Sequence, residues 1–316
     1  MFARSSRVLA RAAAAAATVG GGAGLLVSVN ASNASVASCE PINFRAESLR
    51  LAEGALERVD KLLARMHALN SLADRIDHTL LRSDATVAEI EVLCAEAVEH
   101  GFKTVCVNSG NVQVAKEFLA KAAAAGKEHA VKVCAVVGFP LGACSTEAKA
   151  FETEAAILAG ASEIDMVINI GRLKSGEWDY VVRDVAAVVA VCKRLGAGCK
   201  VIIETCLLND EEKRAASELC ALVGADFVKT STGFSTGGAT PEDVALMKAS
   251  VDAAAAKYAP LAANGGSVKV KASGGIKDAN DAWAMIRAGA SRLGTSRGVS
   301  LVSTGDEAAA PSPSAY

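Results

Sequence analysis

Aromatic side chains make up only 4 % of this 316-residue chain. A core so poor in large rings has to be filled by Val, Ile, Leu and Ala, the usage of buried parallel strands flanked by Ala-rich helices. Histidine is confined to positions 67, 78, 100 and 129, so a metal cluster has little to draw on. The nine cysteines include no CxxC pair and mostly sit in apolar stretches. They read as reduced core residues of an intracellular protein rather than a disulfide framework or a zinc site. Long basic runs and basic–aromatic interleaving are absent too, which argues against nucleic acid as a partner. The uncharged stretch 12–29 is mostly Ala and Gly, too short and too weakly apolar for a membrane span. With a formal net charge of -2, the composition fits an enzyme of small metabolites.

The chain begins with Arg4, Arg7 and Arg11 and carries no acid before Glu40. Wound as a helix, the arginines share one face while Phe2 and Leu9 lie opposite. An Arg-rich, Ala/Ser-rich, acid-free amphipathic start resembles an organellar transit peptide, mitochondrial (matrix) more than plastid; a secretory signal is the competing reading. Residues 1–40 are therefore expected to be a presequence, with no membrane association after processing. Within 41–71, Leu49, Leu56, Val59, Leu63 and Met66 recur at helical spacing. They predict an amphipathic helix that packs on the end of the catalytic body or on a second copy of the chain in a homo-oligomer.

From residue 72 to 303 short apolar runs alternate with helical stretches. The spacing predicts strands at 75–80, 104–107, 131–137, 163–168, 200–204, 227–230, 268–272 and 292–294. Helices are predicted over 86–100, 111–125, 145–159, 178–195, 210–223, 241–258 and 277–288, several stopped by a glycine such as Gly101, Gly160 or Gly224. Eight such units have the count and size of a single (β/α)8 TIM barrel. A doubly wound sheet would want a glycine-rich loop after its first strand, and none is there. Residues 304–316, rich in Ala, Pro and Ser, read as a flexible tail.

In a barrel the chemistry sits at the carboxyl ends of the strands. Those ends collect Asp77, Cys106, Asp165, Asn169, Glu204, Lys229 and Lys271. Val228-Lys229-Thr230-Ser231-Thr232-Gly233 and Val270-Lys271-Ala272-Ser273-Gly274-Gly275 repeat one arrangement: strand, lysine, small residues, glycine. Two lysines on adjacent strands repel, which frees one amine near neutral pH to attack a carbonyl and form a Schiff base. Lys229 is assigned as the nucleophile and Lys271 as the neighbour that tunes it, although spacing alone permits the reverse. Asp165, set in an otherwise apolar strand, is the candidate proton shuttle. Gly274-Gly275 after the seventh strand, and Gly294-Thr295-Ser296 after the eighth, offer N–H groups and hydroxyls where barrel enzymes hold phosphate. Thr232 and Gly233 extend that substrate-binding set. Glu204 either enters the pocket or acts on the lysines electrostatically.

The lysine motifs, with Ile76-Asp77-His78-Thr79-Leu80, Glu163-Ile164-Asp165-Met166-Val167-Ile168-Asn169, Val136-Val137-Gly138-Phe139-Pro140 and Lys200-Val201-Ile202-Ile203-Glu204-Thr205, resemble those of the deoxyribose-phosphate aldolases, a family of class I aldolases. The resemblance runs in order from about 72 to 300. It implies reversible cleavage of 2-deoxy-D-ribose 5-phosphate to acetaldehyde and D-glyceraldehyde 3-phosphate, with no metal or organic cofactor. The implied partners are thus a phosphorylated sugar and aldehydes. By the same resemblance Asp77 supports the site, Cys106 lies near substrate, and Tyr316 ends a tail that reaches the site and assists proton transfer. Other readings are a Schiff-base aldolase of a different sugar phosphate, or a barrel kept only for sugar-phosphate binding. One departure is Arg297, which stands where family members often carry a serine.

Overall fold

A computed structural model describes residues 72–126, 130–258 and 267–302, together with Gly54, Ala55 and Arg58, which are helical. The presequence, most of the expected amphipathic helix, and the tail with Tyr316 lie outside the described residues.

Eight strands close into one parallel barrel in sequence order. They are β1 Ile76–Leu80, β2 Thr104–Asn108, β3 Lys132–Val137, β4 Glu163–Val167, β5 Gly198–Ile202, β6 Phe227–Lys229, β7 Lys269–Ser273 and β8 Ala290–Thr295. The main helices between them are α1 Val87–His100, α2 Val112–Ala124, α3 Thr146–Ala159, α5 Trp178–Leu195, α6 Asp210–Val223, α7 Pro241–Tyr258 and α8 Ala279–Arg287. Short helices α4 Ile170–Lys174 and α9 Gly298–Val302 follow β4 and β8. None of the described helices is long and apolar enough to cross a membrane.

The expected (β/α)8 barrel is the observed fold, and its elements form for the anticipated reasons. Thr86 and Glu89 make a reciprocal capping box at the start of α1, as Asn209 and Glu212 do for α6. The predicted glycine stops take positive φ, for example 69° at Gly101 and 75° at Gly224. One strand is displaced from its expected place. β5 spans Gly198–Ile202, so Glu204 lies beyond it, with φ 56° as the one non-glycine residue in the left-handed region among those described. Apolar content over 200–204 concealed the true end of pairing, which the ladder with β4 and β6 decides.

Because side chains alternate across a strand, each strand serves two environments. Ile76, Val105, Ala135, Ile164, Val201, Val228, Val270 and Leu293 face outward into the main apolar core with the helices. The inward positions are unlike an ordinary barrel filling. A small apolar patch of Leu81, Cys106, Cys134 and Val136, with Phe139 against it, occupies one side. Charged groups fill much of the rest. This polar interior positions the site.

Candidate active site

Three lysines converge on one buried carboxylate. Asp165, in the middle of β4, accepts from Lys200 on Oδ1 at 2.8 Å and from both Lys229 and Lys271 on Oδ2 at 2.7 Å. The register explains the convergence: Asp165 stands beside Lys200 on the neighbouring strand, and Lys229 beside Lys271 on the next pair. Four inward side chains from β4 to β7 thus meet near the axis. Lys271 also donates to Asp77, whose other oxygen receives Arg292 at 2.7 Å. Asp77 was expected at the carboxyl end of its strand. It is instead the second residue of β1, deep in the barrel, where it serves Lys271 and Arg292.

The charge states follow from this packing. Burial works against the Asp165 anion, yet Lys200, Lys229 and Lys271 outweigh it and hold the carboxyl well below the usual range. Asp77 is likewise lowered, burial being overcome by Lys271, Lys200 and Arg292. Burial disfavours the Lys271 ammonium too, but Asp165 and Asp77 reverse the effect and raise its pKa above the ordinary lysine value. Lys200 is raised in the same way, against burial, by Asp165, Cys134, Asp77 and Glu163. Lys271 and Lys200 are therefore fixed cations. Lys229 differs in place and partners. It ends β6 where the strand opens into the loop, and Asp165 is its one ion-pair partner among the described residues.

Lys200 was not picked out by the strand-end reading, because it lies in the middle of β5. Its inward alternation with Ile202, two residues along, was the signal that could have found it. It also supplies the answer to an unexpected donor cluster. Cys106, Cys134 and Asp165 place two sulfurs and a carboxylate oxygen within 4.8 Å of one another. Cys134 donates to Asp165 at 3.1 Å, and burial with its contact to Cys106 pushes its thiol well up. The Lys200 ammonium stands 3.3 Å from the Cys134 sulfur and 2.8 Å from Asp165. A lysine cation thus meets the carboxylate where a metal ion would have to bind. Cys106 packs in the apolar patch, and its thiol is lowered, chiefly by the hydrogen bond with Cys134.

Glu204 neither enters the lysine cluster nor pairs with it. Its carboxylate accepts from the Thr232 amide at 3.3 Å and from the Thr232 hydroxyl, so it clamps the loop that follows Lys229. Thr232 in turn accepts from the Phe234 amide at 3.0 Å. Its hydroxyl therefore shapes the loop. A left-handed, non-glycine Glu204 is a local strain retained by these bonds. Asn169, also collected from strand ends, caps α4 by accepting from the Arg172 amide at 3.1 Å.

The expected phosphate loops come together. Ala239, in the loop after β6, donates its N–H to the carbonyls of Ser273 and Gly274 at 3.1 and 3.0 Å. Gly233, Gly274 and Gly275 take φ of 88°, 79° and 75°. A Cβ on Gly238 would lie 2.5 Å from the Gly274 backbone, so the two loops can touch only through glycine. Gly294 makes room for the Lys271 side chain: a Cβ there would come within 3.1 Å of the Lys271 Cε and 2.9 Å of the Ser273 Cβ. Thr295 is buried and accepts from the Arg297 amide at 3.0 Å, Ser296 is half-buried, and the Arg297 side chain is exposed.

A barrel that gathers a strand-end lysine, two fixed lysine cations and a shared carboxylate near its axis, with glycine loops beyond the strand ends, is built as an amine-catalysing carbonyl enzyme of the aldolase class. Residues 72–302 match the model of the DeoC/LacD family aldolase, and the chain belongs to that family. A deoxyribose-phosphate aldolase of Geobacillus sp. (strain WCH70) is 55 % identical over 233 residues, 74 % of this chain and 95 % of that protein. One from Thermococcus gammatolerans is 52 % identical over 231 residues, 73 % of this chain and 95 % of that protein. The solved structure of a tetrameric deoxyribose phosphate aldolase from Aeropyrum pernix is 35 % identical, with a TM-score of 0.59 over 73 % of this chain and 89 % of that one.

Proposed function

We propose that the chain is a class I aldolase that cleaves 2-deoxy-D-ribose 5-phosphate to acetaldehyde and D-glyceraldehyde 3-phosphate, reversibly, through an imine on Lys229. The carrying observation is the charge balance of the site. Lys271 and Lys200 are locked as cations by two carboxylates or more each, whereas Lys229, at the carboxyl end of β6, pairs with Asp165 alone among the described residues.

The Lys229 amine attacks the substrate aldehyde carbon, and loss of water from the carbinolamine gives an iminium. A proton leaves the C3 hydroxyl, the C2–C3 bond breaks, and its electron pair moves into the iminium to form an enamine. D-Glyceraldehyde 3-phosphate departs, C2 takes a proton, and water releases acetaldehyde and the lysine. Asp165, in contact with Lys229 and Lys271, is placed to pass these protons directly or through water. Lys271 and Asp77 hold Asp165 in position. The Gly274-Gly275 and Gly294-Thr295-Ser296 loops offer the phosphate its N–H donors.

Borohydride reduction in the presence of acetaldehyde, followed by peptide mapping, tests the imine. The expected result is one ethyl adduct, on Lys229, absent from Lys229→Leu. An adduct on Lys271 would reverse the two lysines, and no adduct on any lysine of folded protein would leave only a sugar-phosphate-binding barrel.

Two further proposals concern the setting of the enzyme. The Arg-rich presequence, residues 1–40, which holds no acid before Glu40, supports delivery to the mitochondrial matrix. A fusion of that segment to a fluorescent protein should co-localise with mitochondria; diffuse or secreted fluorescence would refute the address. Self-association is supported by Phe151 and Leu158, two turns apart on α3 and 76 % and 73 % exposed, with Leu141 at 74 % nearby in sequence. Light scattering should give a multiple of the chain mass for the wild type and a smaller species for Phe151→Glu/Leu158→Glu. An unchanged mass in that variant would remove α3 from the interface.

A further inference from the structure

The three lysine–carboxylate contacts around Asp165 are part of a longer circuit. From Asp165 it runs to Lys200 at 2.8 Å, to Glu163 at 2.6 Å, to Arg292 at 2.9 Å, to Asp77 at 2.7 Å, to Lys271, and back to Asp165 at 2.7 Å. Acid and base alternate throughout, three of each. Lys229 joins this ring at Asp165, at 2.7 Å, and stands outside its alternation of three acids and three bases. Glu163 and Arg292 close the circuit on the amino-terminal side of the barrel, away from the substrate loops. There they line a cavity of about 410 Å³ with Asp226, Phe227 and Lys269.

We infer that Glu163 and Arg292 are positioning residues of the aldolase reaction, closing a charge-balanced ring that sets the net charge Lys229 meets. Two features carry this beyond packing. Arg292 grips Glu163 with both nitrogens, at 2.9 and 3.3 Å, while its Nη1 also orients Asp77. A forked contact of this kind fixes direction as well as charge. Secondly, the count is balanced only with both residues present. Without the Glu163 charge the ring is left with one excess cation and opposes an ammonium on Lys229. Without the Arg292 charge it has one excess anion and favours that ammonium. Among the described residues, the titratable groups around the ring besides Lys229 are Cys106 and Cys134 on β2 and β3, Asp226 beside β6 and Lys269 on β7. All four are unchanged in the comparison below. Burial opposes the Arg292 cation, but Asp77 and Glu163 raise it further above its ordinary value, so it is a permanent charge.

The inference rests on the imine reading, so the readout is imine formation itself: the rate of borohydride trapping of acetaldehyde against pH. An ammonium cannot attack, so trapping rises along an acid limb. In Glu163→Gln the limb should move to lower pH, and in Arg292→Gln to higher pH, each on the order of one pH unit for a charge roughly 10 Å away at an effective dielectric of about 20. Arg292→Lys, which keeps the charge and loses the fork, should keep the wild-type limb with a several-fold lower rate. The double variant Glu163→Gln/Arg292→Gln should also return the limb to its wild-type position. Misfolding or loosened packing lowers rates without moving limbs in opposite directions. Limbs that stay put or move the same way in the two single variants would overturn the inference. Should those variants not fold, a displaced limb in Arg292→Lys or in the double variant would overturn it equally, and a wild-type limb would uphold it. Trapping on Lys229 with unmoved limbs rejects the ring alone, whereas absence of trapping in the wild type rejects the imine beneath it.

Discussion

Replacing Asp165 by Asn is expected to cut kcat by roughly 10²–10⁴-fold, the range of a lost proton-transfer group, and to destabilise the fold by about 3–5 kcal/mol. The two effects have one cause. Lys200, Lys229 and Lys271 all donate to this carboxylate, and an amide leaves three buried ammonium groups around a neutral group that can accept but not balance them. The pH dependence has a definite sign. Because the folded-state pKa of Asp165 is depressed, its stabilisation is complete above the unfolded value of about 4 and disappears as pH falls through the folded value. Asp77 and Glu163 are depressed too and act in the same direction. The wild type should therefore lose stability steeply on acidification below about pH 4, and Asp165→Asn less steeply. Urea titrations at pH 7.5 and at acid pH, with steady-state kinetics at the former, measure both. A variant as active as wild type, or with an identical acid slope, would show that Asp165 does not anchor the cluster.

The second large effect lies outside the site. Lys149 on α3 and Asp184 on α5 are both 0 % exposed and meet at 2.5 Å, with Thr146 donating to Asp184 at 3.0 Å. Lys149→Met leaves a buried carboxylate without its cation and should cost about 3–5 kcal/mol. Lys149→Met/Asp184→Leu removes both charges and should recover most of that loss, since the pair's attraction offsets little more than its own dehydration. Denaturation midpoints of the two variants decide the matter, and the folded fraction of each should keep the wild-type kcat. If the double variant is no more stable than the single, the pair is not the reason both charges are tolerated inside.

Much of this protein is legible in one dimension because the barrel repeats a local rule. Each Val/Ile/Ala-rich run makes a strand, and each glycine stop such as Gly101 or Gly224 ends a helix in αL. Lys229 and Lys271 could be recognised because a lysine before small residues and glycine at a strand end is costly without a purpose. Glu163 and Arg292 could not, because neither stands at the carboxyl end of its strand and the meaning of each lies in which residue stands opposite.

Composition and periodicity alone determined the fold class, the strand and helix order to within a few residues, and the pair of lysines on neighbouring strands. What only the closed barrel decided is the partnership of side chains far apart in sequence. Asp77 meets Lys271 and Arg292, and Glu204 serves Thr232 rather than the lysines. The reason is geometric. A strand's own pattern says which residues face inward, but the register between strands and the closure of β1 on β8 set which charges come within 3 Å. Those few ångströms fix the protonation states on which the chemistry depends.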